Sequence, residues 1–162
     1  MKKLYICRHA KSSWSFDLDD FDRPLGNRGR KDVLKVGQYL EEHQIKKPDL
    51  ILTSPASRAF YTALFLADHW KYKEEKIVVD QRLYHSSSDA ITQLLSKQEN
   101  HESIAIFGHN PGFSELIYHL SGGETDDMPT GSVVGLEFSI NNWTSIGQTK
   151  GKMFLSIYPK KL

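Results

Sequence analysis

The sequence predicts an α/β fold: a single three-layer domain over residues 1–162, with a mostly parallel central sheet, helices on both faces and an antiparallel edge pair near the C-terminus. Three observations lead there. Six short apolar runs recur along the chain, amphipathic helix-like segments separate most of them, and the last two runs have no helical pattern between them. A chain of 162 residues, 39% of them hydrophobic, can bury one sizeable core but is cramped for two. No repeat, low-complexity tract or linker-like stretch divides it.

The first run, LYIC at 4–7, reads as a strand. It contains the one cysteine, Cys7, which cannot form an internal disulfide and is expected to be a buried thiol in a reducing, cytoplasmic setting. Residues 10–28 follow as a long polar connection, a length usually kept for function. Over 29–43, Val33, Val36, Gly37 and Leu40 share one side while Lys31, Lys35, Glu41 and Glu42 lie largely elsewhere, which is helical spacing with one buried face. DLILT (49–53) is the second strand and 55–70 the second helix; KIVV (76–79) is a third strand, followed by a weaker helix over 88–97. SIAIF (103–107) and a helix over 112–121 complete the alternation, before SVVGLEF (132–138) and KMFLSIY (152–158) form the antiparallel pair.

Charge excludes several function classes. Lys plus Arg number 21 against 20 Asp plus Glu, so no global field favours nucleic acid or a membrane surface. Trp14, Trp70 and Trp143 are scattered, which gives no stacking platform for nucleic acid. No stretch approaches the ~20 apolar residues of a membrane span. Any selectivity for an anion must be local.

In parallel sheets, ligands sit where the carboxyl ends of the strands meet the loops entering the helices. Three such junctions carry Arg or His: Arg8-His9, TSPASRA (53–59) and GHNPG (108–112). Ser54-Pro55 and Asn110-Pro111 each set a capping side chain before a proline, the pattern of a helix opening, whose free N–H groups attract anions. Arg58 falls in the first turn of its helix, and its guanidinium matches the oxygens of a phosphate or carboxylate. The ensemble points to an oxyanion, foremost phosphate. Arginines beside His9 and His109 would repel a cation, so no metal is expected there. The acidic run DLDDFD (17–22) lacks the glycine and closing glutamate of a calcium loop and is expected to be a solvated rim.

A neutral imidazole can attack phosphorus, and a second, protonated ring can donate to the phosphoryl oxygens as charge shifts. His9 is the better nucleophile: at a strand end, a backbone carbonyl could fix its Nδ1–H and leave Nε2 aimed outward. Lys11 and Asn110 adjoin these motifs as candidate substrate contacts.

RHAKS (8–12), SPxxRA (54–59) and GHNPG (108–112), in this order, resemble the histidine phosphatase superfamily, which includes the phosphoglycerate mutases. RHAKSSW, DRPLGNRG (22–29), LYHSS (83–87) and MPTGSVVGLEF (128–138) further resemble its short SixA-like phosphohistidine phosphatases. The resemblance implies a phosphoglycerate mutase-like fold, His9 as phosphate-accepting nucleophile, and Arg8, Arg58 and His109 around the phosphate, without metal or organic cofactor. Ser15 falls where many relatives carry a phosphate-touching asparagine. In the place of the larger relatives' glutamate proton donor stands His85, so no carboxylic acid is expected there. A site without one suits phosphohistidine, whose imidazole leaves more easily than an alkoxide. The expected partner is therefore a phosphohistidine protein; small phosphate esters, or a phospho-binding module without turnover, are the alternatives.

Overall fold

The computed structural model describes residues 1–124 and 127–162. Six strands, β1 (Lys2–Arg8), β2 (Leu50–Thr53), β3 (Val78–Val79), β4 (Ser103–Gly108), β5 (Val133–Phe138) and β6 (Lys152–Ile157), form one sheet in the order β3-β2-β4-β1-β5-β6. The β3, β2, β4 and β1 strands run parallel, β5 lies antiparallel to β1, and β6 antiparallel to β5. The expected mixed sheet with its antiparallel pair is present.

Side chains alternate across a strand, and both faces of this sheet are covered, so β1 reads as a continuous apolar run. Tyr5 and Cys7 face one way, into a core with Ile51, Ala105 and Phe107 and with Val33, Val36 and Leu40 of α1 (Asn27–Glu42) and Ala63 and Leu66 of α2 (Ser57–His69). Leu4 and Ile6 face the other way, into a core with Ile104, Ile106, Ile91 and Leu94 of α3 (Ser88–Ser96), and Phe113, Leu116 and Ile117 of α4 (Gly112–Ser121). Helices thus cover both faces, as the pattern of apolar positions predicts.

The differences are at boundaries. KIVV contributes only the two-residue β3, because Glu74–Lys76 closes into a 3-10 turn. The α2 helix starts at Ser57, with Ala56 at its N-cap, and the Ser54 hydroxyl is engaged elsewhere. The N-cap of α4 is Pro111, while the Asn110 side chain still accepts from the Ser114 backbone N–H at 3.2 Å.

Two glycines let segments of the site approach closely. A Cβ on Gly29, in the first turn of α1, would collide with the Lys11 carbonyl oxygen, and one on Gly112, opening α4, with that of Ser86. The first contact seats the connection after β1 on α1; the second seats the 84–87 segment against α4.

Candidate active site

The parallel strands β1, β2 and β4 end on one edge of the sheet. There they deliver His9 and His109 into a cleft of about 230 Å³ also lined by Arg8 and Arg58, with Ser54 fully buried behind His109. The backbone of His9 is pinned on both sides: its N–H donates to Gly108 at 3.1 Å and its carbonyl accepts from Gly131 at 2.9 Å. Its Nδ1 lies 2.8 Å from the Ala10 carbonyl. A carbonyl only accepts, so Nδ1 carries the proton and Nε2 keeps its lone pair. The Arg58 Nε–H points at that Nε2 from 3.4 Å. Burial, helped by the Arg58 and Arg8 cations, pushes the His9 pKa down to about 4, so the ring is neutral at physiological pH.

The His109 ring centre lies 5.3 Å from that of His9. Its Nε2 is 2.7 Å from the Ser54 Oγ, which also accepts from the Ala56 N–H at 3.3 Å. In the arrangement in which the serine hydroxyl donates to Nε2, the His109 proton sits on Nδ1. Burial and the neighbouring His9 push the His109 pKa down to about 3. Desolvation among cations therefore keeps the second ring neutral in the resting site, whereas the sequence reading expects it protonated as charge shifts on a bound phosphoryl group. Both His109 Nδ1 and Arg8 Nε are buried without a hydrogen-bond partner among the described residues. Arg8 is anchored through Nη1 to the Met128 carbonyl.

Arg58 is almost wholly buried, and its helical turn is tied to the segment that follows β1. The Thr62 hydroxyl donates to the Arg58 carbonyl at 2.7 Å and accepts from the Ala10 N–H at 3.0 Å. The fork of Arg58 meets Asp20: Nη1 donates to its backbone carbonyl at 2.6 Å and Nη2 to Oδ2 at 2.9 Å. The same Oδ2 accepts from the Tyr84 hydroxyl at 2.9 Å and lies 3.1 Å from His85 Nε2, while Oδ1 accepts from Arg23 at 3.0 Å. Partial burial alone would raise the Asp20 pKa, but hydrogen bonds from His85, Tyr84 and Arg58 outweigh it and hold the carboxyl well below the usual range.

Asp20 revises the sequence reading. The 83–85 segment supplies no carboxylate, yet one arrives from the acidic run, which is more than a solvated rim. Long-range pairing is invisible in residue spacing, and only the basic character of the opposing motifs hinted at it.

The other candidates fall in different places. His85 lies at the mouth, half-exposed, with its ring centre 4.9 Å from that of His109 and its backbone left-handed at φ 50°. Lys11 and Asn110 line the cleft, and Asn110 Nδ2 also donates to the Met128 carbonyl at 3.1 Å. Ser15 is exposed and lies outside the lining; Ser12 and Trp14 line it from the same connection. Arg23, which the DRPLGNRG motif contained without its role being legible, stacks over the Trp14 ring at 3.2 Å from its centre. Among the described residues, no group of three or more His, Cys, Asp or Glu side chains is placed to hold a metal. No helix among them is long and apolar enough to cross a membrane.

The class is thus an α/β protein whose strand-end cleft pairs histidines with arginines, a setting suited to an oxyanion. Residues 4–87, more than half of the chain, match the model of the histidine phosphatase superfamily (branch 1), and the chain belongs to that superfamily of phosphatases. A candidate phosphoserine phosphatase from Hydrogenobacter thermophilus is 35% identical over 89 residues, 51% of this chain but only 39% of that protein's length. An uncharacterised protein of Mycobacterium tuberculosis is 28% identical over 117 residues, covering 70% of this chain and 69% of its own. Among solved structures, the protein histidine phosphatase SixA in complex with tungstate superposes with a TM-score of 0.82 at 20% identity, covering 98% of each chain. A candidate SixA from Agrobacterium tumefaciens gives 0.83 at 22%, again over 98% of each. At these identities the likeness establishes the fold. It also establishes the phosphoglycerate mutase-like architecture expected from the motifs.

Proposed function

We propose that this protein is a phosphatase that works through a covalent phosphohistidine on His9 and that its substrate is phosphohistidine on a protein. The observation that carries the reading is the orientation of His9: Nδ1 is committed to the Ala10 carbonyl, so a lone pair on Nε2 stands beside the Arg58 guanidinium. On binding, the phosphoryl oxygens take the Arg58 fork from Asp20 and accept from His109 Nδ1–H and Arg8 Nε–H, two cleft-lining donors that are buried without partners among the described residues. The His9 Nε2 lone pair then forms a bond to phosphorus as the phosphorus–nitrogen bond to the substrate imidazole breaks. The departing imidazole takes up a proton, and His85, at the mouth, is placed to deliver it. In the second half, water attacks phosphorus while giving a proton back to His85, and the phosphorus–Nε2 bond breaks with its electron pair returning to Nε2, releasing phosphate and restoring both histidines.

Two features support a protein substrate. Asp20 is held ionised and donates no proton at rest, which favours an easily expelled imidazole over an alkoxide. The connection beside the cleft also exposes Trp14, Phe16 and Leu18, an apolar rim suited to a macromolecular surface. The buried thiol of Cys7 fits a cytoplasmic, reducing setting. A second reading, hydrolysis of small phosphomonoesters, draws on the same cleft of Arg8, His9, Arg58 and His109.

Turnover of a histidine-phosphorylated protein against simple alkyl phosphates decides between them. The phosphohistidine reading expects a kcat/KM at least about a hundredfold higher on the protein, since an alkoxide lacks the acid it needs. Preferential cleavage of the alkyl esters would reject it.

A further inference from the structure

The cleft does not end at the phosphate site. It shares Lys11 with a second hollow, which shares Arg28, Asp32 and Lys160 with a third that reaches Lys31 and Lys35. One groove therefore runs from the nucleophile along the solvent face of α1. Arg28, Lys31 or Asp32, and Lys35 fall one turn apart on that face, opposite buried Val33, Val36 and Leu40. The C-terminal 3-10 turn Pro159–Lys161 supplies Lys160 from the other wall.

The charge of this groove is unspent. All five cations are exposed, yet only Arg28 has a carboxylate partner, Asp32 at 3.7 Å; the four lysines form no ion pair among the described residues. Elsewhere, Lys2, Lys3 and Lys71 each face a glutamate. Other surface lysines, such as Lys46, Lys97 and Lys152, also lack an ion pair among the described residues, but along this groove five cations line one continuous hollow against the single carboxylate of Asp32. Exposed ammonium groups are hydrated point charges, which suit them to steering an acidic surface rather than gripping one phosphate.

We propose that this groove docks the acidic face of the phosphorylated protein substrate, a reading that rests on the phosphohistidine assignment above. A small ester would occupy the cleft alone and gain nothing from Lys31 and Lys35. The paired control makes the two ideas separable.

The test compares wild type with the Lys31→Glu/Lys35→Glu variant on three substrates: phosphoramidate, a histidine-phosphorylated carrier protein with an acidic face, and the same carrier with those acids changed to amides. At low salt the variant should lose about tenfold in kcat/KM on the acidic carrier, through association rate. That loss should shrink at physiological salt. Turnover of phosphoramidate and of the amide carrier should match wild type. Equal rates of variant and wild type on the acidic carrier would overturn the docking groove, as would an equal loss on the amide carrier or on phosphoramidate. A wild type that cleaves phosphoramidate but neither carrier would instead defeat the substrate assignment from which the groove takes its partner.

Discussion

Each side chain in the cleft has its protonation or geometry set by one neighbour, and those neighbours are where single substitutions are most informative. A hydroxyl proton donated by Ser54 to Nε2 would hold the His109 proton on Nδ1. Ser54→Ala frees Nε2, so the ring donates to phosphate only part of the time, and kcat should fall about tenfold with little change in fold stability. A shifted pH–rate profile would separate this positioning role from mere loss of packing. Asp20 competes for the Arg58 fork. Asp20→Asn should tighten binding of inorganic phosphate about two- to fivefold, a modest gain because the pair is partly exposed. Isothermal titration would read it, and weaker binding would mean that Asp20 organises Arg58 instead of competing for it.

The buried histidines also make stability depend on pH. Both fold with pKa values pushed down, His9 to about 4 and His109 to about 3, below the roughly 6.5 of an unfolded histidine. Between those values the unfolded chain binds more protons, so stability is full above about pH 6.5 and declines as pH falls towards 4. Denaturant midpoints at pH 7 and pH 4.5 should show this decline, and it should be smaller in a His109→Asn variant. An unchanged pH dependence would show that His109 does not titrate as its burial requires.

At the scale of elements, the site is assembled by close approaches between segments far apart in sequence. Gly112→Ala would drive a methyl into the Ser86 carbonyl, so the 84–87 segment or the start of α4 must shift. A loss of about 1–3 kcal/mol in stability is expected, with activity falling further than stability explains because His85 and His109 are displaced. All six strands and four helices were legible from apolar periodicity, since each element buries a definite face. Their ends were less so: α2 begins two residues late because Ser54 serves His109, a tertiary contact that capping statistics cannot see. Arg8, His9, Arg58 and His109 were legible because they follow strand ends. Asp20, Arg23 and Ser54 were not, because their roles depend on partners 38, 10 and 55 residues away in sequence.

On the whole molecule, a nearly neutral chain carries a strongly asymmetric face. The parallel strands gather His9, His109 and their arginines at their carboxyl ends, the apolar rim of Trp14, Phe16 and Leu18 flanks them, and the lysine groove leads away along α1. On the proposed protein substrate, the strand ends would supply the chemistry and the surrounding surface the recognition. Raising ionic strength should accordingly depress turnover of a phosphohistidine protein several-fold while leaving phosphoramidate hydrolysis nearly unchanged. Parallel salt responses for both substrates would argue that the surface plays no part in selection.

The account depends most directly on the lone pair at His9 Nε2. The decisive measurement is acid-free quenching of a brief reaction with a phosphohistidine protein, followed by peptide mass spectrometry. It should find one phosphoryl group on His9, and none in the inactive His9→Ala variant. Full turnover by that variant, or a phosphoryl group trapped on another residue, would contradict it.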